Sequence, residues 1–128
     1  MIVEFADTGR ETLLAGKPDE YRRVADALQA GAGSFELNTD PAAVRQGSPL
    51  SRLDIGTADS DGVVISVDTE DRRLVITGPR QLLSVLADIF RDSAGTGDPE
   101  GHVHIEYFPE HFYLDPASMP LTIWDAVD

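Results

Sequence analysis

The chain contains no cysteine among its 128 residues. Disulfide bridges and thiolate metal sites are therefore excluded, and this absence is typical of a protein in a reducing compartment. No stretch approaches the roughly 18 consecutive apolar residues that a membrane-spanning helix needs. The first residues also lack the basic and apolar pattern of a secretory signal peptide. We therefore expect a cytoplasmic protein that does not bind a membrane.

Basic residues are scarce too. Ten Lys and Arg stand against 23 Asp and Glu, which gives a formal net charge of −13. Such a charge repels nucleic acid and anionic lipid and attracts basic partners. The sequence thus predicts one folded domain over residues 1–128, as a monomer or small homo-oligomer, that does not bind nucleic acid. The acidity either keeps the protein soluble or serves a basic partner.

Two segments carry apolar residues at helical spacing. The first begins at Pro18, where proline suits the first turn of a helix, and Gly31 is well placed to end it. Its apolar stripe includes Tyr21 and Leu28. The second segment follows Gly78-Pro79 and is the more apolar of the two. We predict a helix in each segment.

Alternating apolar and polar residues predict seven strands, in the order strand, helix, four strands, helix, two strands. Asp61-Gly62 favours a tight hairpin, so the three strands between residues 53 and 76 should form an antiparallel meander. Turns or loops are expected at Asp7–Arg10, Thr39–Pro49 and Ser93–Pro99. This order predicts an α+β two-layer sandwich, with a mainly antiparallel sheet and both helices packed on one face.

The stretch from residue 101 to 116 contains all three histidines. Polar and apolar side chains alternate from residue 102 to 107, which predicts a half-buried strand with His102, His104 and Glu106 on its polar face. Helices on one face of the sheet would leave the other face open. By the same alternation, the open face should also carry Glu4, Glu36, Asp54, Ser66, Asp68 and Trp124.

His102, His104 and Glu106 also form a possible metal-ligand row, which His111 could complete. Neighbouring side chains on one face of a strand lie about 7 Å apart, so convergence on one ion needs help from other strands. The alternative is a solvated strand face or a contact surface. We found no Gly-x-Ser-x-Gly elbow and no complete nucleotide fingerprint, so the sequence predicts neither an enzyme nor a cofactor.

The loop from Phe108 to Pro116 is rich in aromatic residues and directly follows the His-containing strand. Side chains such as Phe112 and Tyr113 are suited to the centre of a protein interface. They could equally fold back and cover one end of the core. Both interpretations remain open from the sequence.

The motif Gly101-His-Val-His-Ile-Glu-Tyr-Phe-Pro, together with Tyr113-Leu-Asp-Pro and Pro120-Leu-Thr-Ile, resembles a family of small actinobacterial proteins. These are the immunity proteins of polymorphic toxin systems. The helix around Gln81–Asp88 and the preceding meander are similar as well. The resemblance implies a non-enzymatic protein that binds and blocks a cognate toxin.

The residues and the resemblance together predict an immunity protein that neutralises a basic toxin, such as a nuclease. The predicted contact residues are Glu36, Asp54, Asp68, His102, His104, Glu106, Phe112 and Tyr113. The alternative is a metal-binding domain that uses His102, His104, Glu106 and His111.

Overall fold

The computed structural model describes residues 1–6, 10–45, 47–98 and 100–127, which form two α-helices and nine strands. The helices are α1 (Pro18–Ala30) and α2 (Arg80–Gly95). The strands are β1 (Ile2–Ala6), β2 (Glu11–Ala15), β3 (Ala32–Glu36), β4 (Ser48–Pro49), β5 (Arg52–Thr57), β6 (Val64–Asp68), β7 (Arg73–Gly78), β8 (His102–Ile105) and β9 (Leu121–Trp124). The predicted α+β class is confirmed. The turn predicted at Asp7–Gly9 and the end of the linker at Pro99 lie outside the described residues.

Both helices form where the apolar spacing predicts them. Proline occupies the first turn of α1, and Gly31 ends the helix with a φ of 79°, a left-handed conformation that favours glycine. The stripe that includes Tyr21 and Leu28 is fully buried. The two helices pack side by side, with the ring of Tyr21 edge-on to the ring of Phe90 at 5.6 Å. Arg91 of α2 also bonds to Asp26 of α1.

The strands form two sheets, whereas the sequence predicted one. Sheet I has the order β4-β1-β2-β9-β8, and sheet II has the order β3-β5-β7-β6. Most pairs are antiparallel as predicted, but each sheet contains one parallel pair, β2 with β9 and β5 with β7. The unpredicted strand β2 explains the separation, because it joins β1 to β9 and so draws the first strand away from sheet II.

The predicted antiparallel meander is wrong in its pairing. Strands β6 and β7 do form a hairpin, but β5 pairs in parallel with β7 and not with β6. Gly62 therefore does not turn a tight hairpin. It allows two backbones to approach, since a Cβ there would lie 2.7 Å from the backbone nitrogen of Asp115 and 2.8 Å from the Tyr113 carbonyl oxygen.

One apolar core joins both helices to the inner faces of both sheets. Helix α1 contacts β3 and β5, and α2 contacts β7 and β9. Of the core residues predicted on β8, Ile105 is buried and Val103 packs at the margin, as expected for an edge strand. The Tyr21 hydroxyl reaches into sheet I and donates a hydrogen bond to the Trp124 carbonyl. Neither helix in the described residues is long and apolar enough to cross a membrane.

Candidate protein-binding surface

The predicted contact residues lie on two separate sheets. Glu36, Asp54 and Asp68 lie on the outer face of sheet II, whereas His102 and His104 lie on β8, at the edge of sheet I. The single open acidic face predicted from the sequence is therefore wrong. The alternation within each strand was assigned correctly for these residues, but the strands belong to different sheets.

Glu4 is a second correction to the predicted open face. Its side chain is only 3% exposed, and one carboxylate oxygen accepts a hydrogen bond of 2.8 Å from the backbone N–H of Arg45. The segment that carries Arg45 therefore covers this part of the outer face of sheet I. Alternation along β1 identified the face correctly, but it could not show that a loop covers it.

Asp54 and Asp68 of sheet II form ion pairs with arginines of the same sheet. Asp54 accepts hydrogen bonds from Ser34 at 2.7 Å and from Arg73 at 3.0 Å, and Arg52 lies 3.2 Å away. Partial burial opposes ionisation of Asp54, but the hydrogen bonds from Ser34 and Arg73 outweigh it and lower the pKa of Asp54. This face therefore offers a balanced ionic network to a partner and has little excess charge.

Asp68 belongs to the same network. Its carboxylate accepts a hydrogen bond from the backbone N–H of Asp71, which is the main reason why the pKa of Asp68 is lowered. The Nε atom of Arg73 lies 3.3 Å from the same carboxylate and favours the charged form further. Arg73 thus bridges Asp54 and Asp68 across the sheet.

In the C-terminal part of the chain, by contrast, acidic side chains occur without Lys or Arg. Residues 92–128 contain eight acidic side chains and no Lys or Arg, because Arg91 is the last basic residue of these types. The ion pairs of the described residues all lie between residues 1 and 91. The unneutralised negative charge of the protein therefore concentrates in this part of the sequence, around β8 and the loop after it.

Strand β8 presents a row of stacked rings. His102 and His104 are both exposed, and their rings touch edge-on at 4.8 Å. His102 also lies 4.8 Å from the ring of Trp124 on β9, and the Arg45 guanidinium covers Trp124 at 4.2 Å. Nδ1 of His104 lies 2.9 Å from the Thr122 hydroxyl. Neighbouring side chains thus hold both imidazoles in place.

The loop that follows β8 exposes two large apolar side chains, Phe108 at 59% and Phe112 at 73%. Both rings pack on His111, with centroids at 4.6 Å and 5.9 Å, and the Phe112 ring is nearly parallel to the imidazole. Exposed aromatic area of this kind is typical of contact surfaces. We call residues 100–115 the β8–loop surface.

Tyr113 supports this loop from within. It is only 7% exposed, and burial raises its pKa. The prediction of a direct partner contact through Tyr113 therefore disagrees with its position. Its carbonyl accepts a hydrogen bond of 2.7 Å from Val63, and Val63 in turn accepts one from Asp115. This bridge attaches the end of the loop to sheet II.

His111 fixes the conformation of the loop. Its Nδ1 atom accepts hydrogen bonds from the backbone N–H groups of Leu114 at 3.1 Å and Tyr113 at 3.3 Å. His111 therefore fixes the loop backbone and at the same time supports the outward-facing rings of Phe108 and Phe112.

These contacts disfavour the metal-binding alternative. Within residues 1–6, 10–45, 47–98 and 100–127, no group of three or more His, Asp or Glu side chains is arranged to hold a metal ion. The three histidines also lie in two separate groups of rings, since His102 and His104 contact each other on β8, whereas His111 packs among the rings of the loop. The proposed ligands do not converge on one point.

Residues 73–124 match the Immunity protein 32 family. The resemblance to immunity proteins is thereby confirmed for this segment, which is less than half of the chain. No curated protein and no solved structure matches the chain at a significant level.

The segment that matches Immunity protein 32 contains β7, α2, β8, the aromatic loop and β9. It therefore includes the whole β8–loop surface. The sequence contains a second indication of this surface besides the alternation of polar and apolar residues, namely the absence of Lys and Arg after Arg91. The contacts of Arg45 and Trp124 had no such signal, because they join distant parts of the chain.

Proposed function

We propose that this chain is a cytoplasmic immunity protein that binds a basic protein toxin and blocks it without catalysing a reaction. The observation that carries the proposal is the coincidence of two features in one segment. The segment that matches Immunity protein 32 includes the β8–loop surface, which contains acidic side chains but no Lys or Arg and in which Phe108 and Phe112 are exposed.

Each feature supplies one part of the binding. Unneutralised carboxylates such as Glu106 and Glu110 attract a basic surface and raise the association rate. The exposed rings of Phe108 and Phe112 lose contact with water when the partner covers them, which slows dissociation. A toxin that acts on nucleic acid carries basic residues for its own substrate, so a nuclease is the partner class that fits best.

The proposal is tested with the toxin encoded beside this protein, by measuring association rates at several salt concentrations. We expect the Glu106→Gln, Glu110→Gln double variant to associate more slowly and with a weaker salt dependence. The matched control is Glu36→Gln, Glu70→Gln, which removes two exposed charges near sheet II. If the control slows association as much, general acidity and not the β8–loop surface attracts the toxin. Absence of binding and of toxin inhibition would overturn the proposed function.

A further inference from the structure

The backbone of β8 is hydrogen-bonded to β9 along one side, and its other side pairs with no strand of the described residues. Asp125 donates a backbone hydrogen bond of 2.8 Å to the Gly101 carbonyl, in register with the pairing of β8 and β9. In an antiparallel ladder, alternate residues direct their backbone groups to the partner strand. Val103 and Ile105 therefore bond to β9, and the N–H and C=O groups of His102 and His104 point away from the sheet.

Among the described residues, β8 pairs with β9 alone. Its outer edge contains no proline, no lysine and no bulge, three of the features that usually protect a sheet edge. His102 and His104 are exposed, and Val103 is only partly covered. An open edge of this kind is a template for another strand.

The other edges of the two sheets differ. Strand β4 is two residues long and contains Pro49. The edge strand β3 borders a shallow cavity that it shares with Glu20 and Arg23, so charged side chains flank it. Along β6, the backbone N–H of Met119 bonds to the Ile65 carbonyl at 2.8 Å. Of the four, the edge of β8 is the one that adjoins the exposed rings of Phe108 and Phe112.

We propose that the toxin adds an extended basic segment to the free edge of β8 and so continues sheet I by one strand. This inference rests on the proposed function and specifies how the partner binds. Backbone bonds would form with His102 and His104, and alternate side chains of the added strand would lie beside the imidazoles and Glu106 or beside Val103. The segment that fits alternates basic and apolar residues.

A second copy of this chain fits the edge less well. Antiparallel pairing of two β8 strands would bring two acidic β8–loop surfaces together, and in the register centred on Val103 Glu100 of each copy would lie opposite Glu106 of the other. Like charges directly opposite on neighbouring strands are destabilising. No Lys or Arg after Arg91 is available to compensate. A basic partner removes this repulsion, which is why we assign the edge to the toxin.

The test compares the effect on binding of losing a backbone N–H group with the effect of losing the side chain, both at His104. His104→Pro removes an outward N–H group and leaves the bonds to β9 intact, because proline is tolerated where the N–H points away from the sheet. His104→Ala is the matched control, since it removes the imidazole and retains the N–H. We expect His104→Pro to bind the toxin on the order of tenfold or more weakly than His104→Ala, because only the proline variant loses the backbone N–H group. Equal affinities of the two variants would overturn the edge assignment.

Amide hydrogen exchange of the wild-type protein gives a second readout that needs no variant. In the free protein, the amides of Val103 and Ile105 should be protected and those of His102 and His104 should exchange quickly. In the complex all four should be protected. If the toxin binds and is inhibited while His102 and His104 still exchange quickly, the edge assignment is wrong and the proposed function stands. Protection in the free protein that grows with its concentration would instead show self-pairing and overturn the assignment.

Discussion

The guanidinium of Arg73 lies 3.0 Å from the carboxylate of Asp54 on the neighbouring strand. The same side chain reaches Asp68 at 3.3 Å, so one arginine on β7 connects β5 and β6. Two of the carboxylates predicted to meet a partner are therefore engaged within sheet II. Binding and folding should consequently depend on different acidic residues, which the following variants can separate.

Arg73→Gln should lower the urea concentration at the midpoint of unfolding. The variant leaves two like charges, Asp54 and Asp68, without the cation between them. The control is Arg22→Gln, which removes an arginine whose ion pair with Asp19 is exposed and isolated. We expect a smaller effect there. Equal midpoints for the two variants would show that the network of sheet II adds nothing to an ordinary surface pair.

Acid should destabilise the protein partly through the same network. The pKa values of Asp54 and Asp68 are lowered in the folded state, so these groups bind protons more weakly there than in the unfolded chain. Their contribution is present above the ordinary carboxyl pKa of about 4 and is lost as pH falls through the lowered values. In urea titrations below about pH 4, the Asp54→Asn, Asp68→Asn variant should therefore lose stability less steeply than the wild type. Parallel curves would contradict this prediction.

Two phenylalanines in different environments test the assignment of core and surface. Phe90 is fully buried between the helices, whereas Phe112 is 73% exposed. Phe90→Ala should lower the free energy of unfolding by about 3–5 kcal/mol, because it leaves a cavity in the core. Phe112→Ala should change it by less than about 0.5 kcal/mol. Chemical denaturation of both variants measures the difference directly.

Toxin binding should depend on Phe112, although the free energy of unfolding does not. Phe112→Ala should speed dissociation on the order of tenfold, because a large exposed ring loses its contact with the partner. The measurement is the dissociation rate, and circular dichroism checks that the fold is retained. An unchanged dissociation rate in the folded variant would exclude Phe112 from the interface.

His111 should control the order of the loop. His111→Phe retains a ring for stacking but removes the acceptor for the backbone N–H groups of Tyr113 and Leu114. Amide exchange at Leu114 should therefore accelerate in His111→Phe as much as in His111→Ala. If only the alanine variant shows faster exchange, ring stacking and not hydrogen bonding holds the loop.

The helices and the exposed faces of single strands could be predicted from the sequence because their signals are local. The stripe of α1 and the alternation from His102 to Ile105 each lie within one element. The pairing of strands could not be predicted, because the parallel contact of β5 with β7 depends on packing between distant residues. Strand β2 was missed because its polarity does not alternate, since the polar Thr12 is buried and the apolar Leu13 faces outward.

For the candidate site, the sequence placed His102 and His104 on the polar face of one strand, and it left the exposure of Phe112 open. It could not show that Arg73 neutralises Asp54 and Asp68, because an ion pair between strands depends on their register. Tyr113 was misplaced for a related reason. An aromatic residue in a loop has the same local pattern whether it points to solvent or supports the loop from inside.

In the part of the chain that the structure describes, strand β8 joins the rest of sheet I through β9 alone, and β9 pairs with β2. Thr12 and Pro120, which bond at this junction, are 108 positions apart in the chain. Contacts of such sequence separation form late in folding, since closing the intervening loop is entropically costly. Strand β8, whose free edge we assign to the toxin, is thus among the last strands to form. A partly folded chain would hold its acidic charge and its aromatic loop, yet it would give no protection until the two distant halves of this sheet had met.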